Sequence, residues 1–442
     1  MKRIKSSRFG VHCSWVVTTA FLLAAGAATA AVVHTDSDGT TFDVTGDTLT
    51  VNVPTSGKTN SYDYVANILN NGSYAITDIV KDGPGVLNAK AASAYTGSWT
   101  INAGAVRCTA NQSLGSTSGT AASKGAVTVK SGAAIKLEVD PCYVLNNRRI
   151  FVEGAGDGTV YKSAIVGKAA TATDKNGIAG SSIQLTGDTD FWAEGGCTVD
   201  IGNSAFDLAG HTFNVCGKDW SWFYFRGGMV ATNSNASADA VVKIPKSTNM
   251  KTTLTGLTTW LGGGRNVIDV TGNGRIYVEG KVEGDWTMKL KGTVRGIRTT
   301  TPQTTRSSYY IRLPTVINGA VTIGNGDNTS PGYGLELGGS ITGNSSSSIT
   351  VNRGAWVSFA NADVDYAGSF TLSGQGDATY RCTPTSRRVP HSSRRRTRRF
   401  PSVTRTSGWT RRPCARFPVS PSPRGRAPSR AARPVPRSPP LR

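Results

Sequence analysis

Ala126-Val127-Thr128-Val129, then Lys130-Ser131-Gly132-Ala133, then Ile135-Lys136-Leu137-Glu138-Val139: the reading of this stretch decides the fold. Apolar and polar residues alternate in both runs, and a period of two marks a strand with one buried side. The short Ser-Gly step between them is a turn signal and too brief for a helix. Working outward, the same kind of run recurs at Thr41-Phe42-Asp43-Val44, Thr48-Leu49-Thr50-Val51-Asn52-Val53, Arg275-Ile276-Tyr277-Val278, Thr287-Met288-Lys289-Leu290 and Ser348-Ile349-Thr350-Val351. Most are bounded by Gly, Asn, Asp or Ser. No window carries a long 3.6-residue stripe.

Many short strands fit either stacked sandwiches or a solenoid. The compact unit of strand, small-residue turn and strand favours coils stacked at the ~4.8 Å spacing of paired strands. A solenoid also tolerates few apolar residues, because its core is a thin column. With coils of ~20–25 residues, residues 31–380 predict about 14 to 17 coils. Sandwiches stay the rival, because Asn71-Gly72, Asn176-Gly177, Asn273-Gly274, Asn318-Gly319 and Asn325-Gly326 are each able to close a hairpin. The expected class is all-β: an elongated right-handed parallel β-solenoid, or β-helix, with a disordered C-terminal tail.

Both ends differ from this body. Residues 1–30 read as a signal peptide: Lys2, Arg3, Lys5 and Arg8 precede the apolar run 15–27, and Ala28-Thr29-Ala30 offers a cleavage site. That run is short of the ~20 apolar residues a spanning helix needs, so no transmembrane helix is expected in the mature chain. Residues 381–442 hold eighteen Arg, no Lys, Asp or Glu, and twelve of the nineteen prolines. With these and the four leader cations set apart, 27 basic residues face 28 acidic ones, although the whole chain carries +21. The basic pI therefore belongs to the tail, and specific nucleic-acid binding is not expected of the body. Three readings of the tail compete: a basic arm for anionic surfaces, a Pro/Arg linker, and the product of a shifted reading frame in a GC-rich gene. The frameshift is favoured, because the change is abrupt after Gly374-Gln375-Gly376-Asp377. Such a tail cannot bury a core.

One segment carries a family resemblance. Its parts are Ile79-Val80-Lys81-Asp82-Gly83-Pro84-Gly85-Val86-Leu87, then Ala94-Tyr95-Thr96-Gly97-Ser98-Trp99-Thr100-Ile101-Asn102-Ala103-Gly104-Ala105-Val106, Ser113-Leu114-Gly115, and the strands that open this section. In this order they resemble the autotransporter-associated β-strand repeat, with 79–140 the best match. A weaker echo is Asp365-Tyr366-Ala367-Gly368-Ser369-Phe370-Thr371-Leu372. The resemblance implies an exported β-helix passenger at the extracellular or outer-membrane surface of a Gram-negative-type cell (periplasmic if truncated). Such passengers commonly precede an outer-membrane barrel. The tail has none of the ~10-residue alternating segments a barrel repeats. Read physically, Gly83, Gly85, Gly97 and Gly104 sit where coils bend. Val86, Leu87, Ile101, Val127, Val129, Ile135 and Leu137 point inward, and Tyr95 and Trp99 cover the end of the apolar column.

Chemistry is sparse. Outside the leader and tail stand four cysteines: Cys108, Cys142, Cys197 and Cys216. In an exported chain an even number suggests disulfides, and of three pairings, sequence proximity favours Cys108–Cys142 with Cys197–Cys216. No Cys-x-x-Cys spacing and only His34 and His211 in the body argue against a metal, and no cofactor is expected. Neither a Gly-x-Ser-x-Gly elbow nor a spaced triad occurs. Asp188-Thr189-Asp190 and Asp363-Val364-Asp365 are the closest carboxylate pairs for a polysaccharide-cleaving β-helix, and Asp36-Ser37-Asp38-Gly39 resembles part of a calcium loop without its closing Glu; each reads first as a surface turn. The densest feature is Trp220-Ser221-Trp222-Phe223-Tyr224-Phe225. Trp220, Trp222 and Tyr224 share one strand face and Phe223 and Phe225 the other. The first face is either core or an exposed platform for a ligand. The functional expectation is a non-enzymatic, adhesin-like surface protein contacting a surface glycan or protein ligand. The alternative is a β-helical carbohydrate-active enzyme, a polysaccharide lyase or hydrolase.

Overall fold

In the computed structural model, residues 31–372 are described apart from 55–58, 62–64, 66–67, 70–73, 91–92, 117, 139–143, 159–160, 169–174, 203, 219–220, 227–229, 245–250, 255–256, 260–265, 272–274, 279, 296, 299–309, 325–332, 353–354 and 360–363; residues 403–404 are also described. The chain divides into units Met1–Thr406 and Ser407–Arg442, and the second lies wholly outside the described residues. So do the leader 1–30 and, apart from 403–404, the tail 381–442.

The first unit is a β-solenoid of about eight turns. Three parallel ladders form its faces. The first face runs from Thr48–Asn52 through Asp78–Asp82, Ser98–Ile101, Val127–Val129 and Arg149–Gly154 into the start of Ser182–Ala193. The second runs from Thr59–Ser61 through Val86–Ala89, Gly104–Cys108, Ala133–Leu137 and Ile165–Gly167 into the end of the same strand. The third begins at Lys175–Gly177 and continues through Thr198–Gly202 and Trp222–Arg226. From residue 182 to 372 eight coils show all three faces: 182–202, 205–226, 230–254, 257–278, 281–295, 310–323, 335–351 and 356–372.

Coil length departs from expectation. Ile79 pairs with Trp99, 20 residues on, whereas Ile150 pairs with Ile183, 33 residues on. Excursions between faces lengthen many coils, so the three-sided turns fall short of 14. Hairpins are the other correction. The described antiparallel pairs are Ala31–Thr35 with Thr41–Thr45, the latter with Thr48–Asn52, and a two-residue contact at Ile297–Arg298. Asn318-Gly319 lies inside Thr315–Ile323, a strand that turns a corner there and pairs with two different strands of the next coil. Asn176-Gly177 is part of a third-face strand. The other three Asn-Gly pairs lie outside the described residues.

The opening hairpins have a physical role. An uncovered first coil exposes a row of unpaired backbone groups. The antiparallel layer 31–52 covers that edge and contributes Phe42, Leu49 and Val51, all fully buried, to the column. Asp36-Ser37-Asp38-Gly39 is its first turn: the Gly39 N–H donates to the Asp36 carbonyl at 2.9 Å and the Thr40 N–H to Asp38 Oδ1 at 3.0 Å. At the other end Val403–Thr404 pairs in parallel with Phe370 and Thr371, so these two tail residues form a strand where none was expected.

Inward residues follow the alternation. Ile79, Trp99, Ile101, Val127, Val129, Ile135, Leu137, Ile150 and Val152 belong to one continuous apolar column. Leu87 joins it. Val86 is buried on the opposite side of its strand, in a second cluster with Ala105, Ala134, Tyr161 and Val166. Trp99 also departs from expectation: it is fully buried within the column, and its indole N–H donates to the Leu114 carbonyl at 3.1 Å. Gly104 shows why a coil corner requires glycine: its φ is +63°, and a Cβ there would collide with the Gly85 carbonyl oxygen.

Lys81 breaks the apolar pattern of the column. It occupies an inward position between Val51 and Ile101 and is fully buried. Its Nζ donates to the carbonyls of Asp82 and Gly83 at 2.8 Å and of Ala103 at 3.0 Å. An ammonium has three protons, and three acceptors meet them. Burial nevertheless pushes the amine down to about 8, against the pull of Asp82 and Asp157.

Candidate ligand-contact face

The aromatic run at 221–225 forms the third-face strand Trp222–Arg226. Its alternation divides it cleanly. Phe223 and Phe225 turn inward and are buried, packing against Phe213, which in turn meets Phe191 at 4.9 Å and Phe206 at 4.8 Å. Trp222 and Tyr224 turn outward and are half-buried. The core and the platform are therefore two sides of one strand. Trp220 lies outside the described residues.

The outward rings form a row that extends to another coil. Trp222 and Tyr224 lie 5.8 Å apart between centroids at 17°, and Trp222 and Tyr277 6.2 Å apart at 26°. These are offset-parallel arrangements, the favoured geometry for neighbouring rings. Tyr277 was not singled out from the sequence. Its signal was the alternation in Arg275-Ile276-Tyr277-Val278, where Ile276 and Val278 belong to the column, leaving Tyr277 on the other side of the strand, where it is nonetheless buried, 8 % exposed. What brings Tyr277 to Trp222 is coil stacking: Tyr224 pairs with Thr253, and Thr253 with Tyr277.

The register also fixes which residues are neighbours from coil to coil. On the second face the outward column reads Asp190, Asn214, Lys243, Asp269, Lys289, with signs mixed. On the third face Lys251 pairs with Trp222, Arg275 with Lys251, and Arg295 with Tyr277. Lys175 pairs with Thr198, Arg226 with Gly202, and Tyr224 with Asp200.

Two other polar clusters lie on outer faces. On the second face Glu138 bonds Arg107 and, at 2.8 Å, Lys168, while Lys136 lies 3.7 Å from Glu194 and 5.0 Å from the centre of the Tyr161 ring. Burial alone would raise the Glu138 carboxyl, but the two cations hold it below its ordinary value. Burial lowers the Lys136 amine and pushes the Tyr161 phenol up to about 12. On the first face Tyr310 donates to Glu283 at 2.8 Å, Arg312 stacks 3.7 Å from the Tyr310 ring centre, and Arg312 lies 3.8 Å from Glu336. Burial and the Glu283 hydrogen bond raise the Tyr310 phenol.

The remaining candidates occupy structural positions. Asp188 Oδ1 accepts from the Thr212 N–H at 2.8 Å and lies 4.0 Å from His211 Nδ1. Thr189 is buried and donates to the carbonyls of Val152 and Gly187. Asp190 accepts from Asn214 at 2.6 Å. The Asp188–Asp190 pair thus ties neighbouring coils at a corner. Asp365 is exposed, and Asp363 lies outside the described residues. His34 bonds Asp36 at 2.7 Å beside the first hairpin turn. Among the described residues no three His, Cys, Asp or Glu side chains are grouped to hold a metal, and no helix is long and apolar enough to cross a membrane.

The Cys197–Cys216 disulfide is a correction: no disulfide is present among the described residues. Cys197 is part of the apolar column, whereas Cys216 pairs with Trp192 on the outer side of the second face. Sequence proximity placed them on adjacent faces but on opposite sides of the wall. Burial pushes the Cys216 thiol up to about 12. Cys108 is buried in the column; Cys142 lies outside the described residues, and its pairing with it.

Comparison with protein-family models, with curated proteins and with solved structures found no match to this chain.

Proposed function

We propose that this chain is an exported, non-catalytic, adhesin-like surface protein of the autotransporter-passenger kind, which contacts a glycan through the outer side of its third face. The leader-like residues 1–30 and the repeat resemblance at 79–140 support the export reading. The observation that carries the contact reading is the division of the 222–225 run: Phe223 and Phe225 fill the core, while Trp222 and Tyr224 stand outside it, half-exposed, with Trp222 stacked on the buried Tyr277. Half-exposed rings on a rigid sheet offer large contact area at small entropic cost. Carboxylates near cations elsewhere are engaged in ion pairs or hydrogen bonds across coils, which supports a structural role for them.

The test joins binding to stability. Trp222→Ala and Tyr224→Ala should abolish retention on immobilised glycans while leaving the circular dichroism melt within a few degrees of the parent. Retention unchanged in both variants would defeat the contact reading. Export is tested by N-terminal sequencing of secreted protein, with Ala31 expected as the first residue.

A further inference from the structure

One ion pair of the second face differs from its neighbours. Glu138 is bonded to Arg107 and Lys168. Lys136 and Glu194 stand 3.7 Å apart, beyond direct hydrogen-bond reach. Among the described residues, neither the Lys136 ammonium nor the Glu194 carboxylate has a hydrogen-bond partner. Yet the Lys136 side chain is only 11 % exposed and that of Glu194 27 %. A cation so covered and without an acceptor is costly, and a group that bridges the gap removes the cost. The register sets an aromatic ring in line with the gap. Lys136 pairs with Val166, and Val166 with Trp192, so Trp192 stands two strands on in the same outward column. Glu194 follows it on the same side of the chain. Trp192 is half-buried and packs against the cluster that holds Tyr161 and Val166.

Charge selects what fits here. The described cations are Arg107, Lys136 and Lys168, and the carboxylates are Glu138, Glu194 and Asp157, the last bonded to the Tyr161 N–H at 2.7 Å. The two signs balance. An anion laid in the gap meets Glu194, and a cation meets Lys136. A hydroxyl accepts from an ammonium and donates to a carboxylate at once. Beside an aromatic face, a ring that carries hydroxyls and no charge satisfies every group of the site.

We infer that the second face carries a further contact site, which takes an uncharged sugar unit with its ring on Trp192 and one hydroxyl between Lys136 and Glu194. The site is separate from Trp222 and Tyr224. That its ligand is a glycan rests on the contact reading above, which it narrows to the neutral class. One ring contact and one bridging hydroxyl hold a single sugar weakly. Retention of a polysaccharide therefore depends on the two faces together, as linked weak sites do.

The test passes the full chain over immobilised dextran, mannan and polygalacturonate, as parent, Trp192→Ala, Glu194→Gln and Trp222→Ala. Lys218→Gln, an exposed cation just beyond the next strand of this face, is the control. Circular dichroism melts accompany each variant, and Glu194→Gln keeps the size and shape of the side chain, so it reads binding apart from packing. The expected result is retention on dextran or mannan that weakens roughly tenfold in Trp192→Ala and in Glu194→Gln, and is unchanged in Lys218→Gln. Retention lost in Trp222→Ala but unchanged in Trp192→Ala and Glu194→Gln would overturn this inference and leave the third-face reading standing. The reverse pattern would support it and defeat the third-face reading. A loss in Trp192→Ala with none in Glu194→Gln would overturn the bridging hydroxyl. Retention on polygalacturonate alone would overturn the uncharged class. No retention on any of the three would overturn both readings.

Discussion

Lys81 is the most exacting test of the column. Its amine lies inside an otherwise apolar core, and burial brings it from its ordinary 10.5 down to about 8. In the unfolded chain the same amine stays protonated up to its ordinary value. Between about pH 8 and 10.5 the unfolded state therefore binds more protons than the folded state, and stability rises with pH across that window. The full difference corresponds to at most about 3 kcal/mol at 1.36 kcal/mol per decade. The carbonyls of Asp82, Gly83 and Ala103 oppose this, because they hold the ammonium. Methionine at this position has a similar length and no proton to lose. Urea unfolding of the parent and of Lys81→Met, followed by circular dichroism at steps from pH 7.5 to 10.5, isolates the contribution, since all other titrating groups are common to both. The parent should gain on Lys81→Met by about 1–3 kcal/mol over the window. A constant difference would show that the amine is not desolvated, and the reasoning from burial would be refuted.

Phe223→Ala should destabilise by about 3–5 kcal/mol through the cavity it leaves beside Phe213 and Phe225, whereas Trp222→Ala, one residue away, should cost about 1 kcal/mol of ring contact; equal losses in chemical denaturation would contradict the inward–outward division. Gly104→Ala should destabilise by more than about 1 kcal/mol, because the left-handed backbone and the Gly85 carbonyl both oppose a Cβ; a neutral melt would show that the corner relaxes freely. Cys216 should react slowly with a disulfide reagent at pH 8, with roughly a thousandfold fewer thiolates than an ordinary cysteine whose thiol titrates at 9.0. Rapid labelling in the native state, or a Cys197–Cys216 peptide by mass spectrometry, would contradict its placement.

The candidate face shows where reading by alternation succeeds and where it stops. Within one strand, period two told Trp222 and Tyr224 apart from Phe223 and Phe225, because successive side chains of an extended backbone must point to opposite faces. The same rule placed Ile79, Ile101, Val127 and Val129 in the column. It failed at Lys81, which fits the inward parity but not the expected polarity; only three convergent carbonyls at a corner make a buried amine tolerable. It failed for Val86, which is buried on the outward side in a second cluster with Ala105, Ala134, Tyr161 and Val166.

The sequence by itself determined the strands, their inward sides and the glycine corners, because those follow from the chain's own stereochemistry and from apolar residues placed at every second position; that the strands pair in parallel was settled by the fold. Only the tertiary structure decided which strands are neighbours. Successive coils differ in length, from 18 to 35 residues between partners, since excursions are inserted at the corners at little cost. The row from Tyr224 through Trp222 to Tyr277 and the separation of Cys197 from Cys216 both depend on that register. A two-residue period names the side of the wall on which a side chain stands; the length of each excursion sets which residue stands next to it.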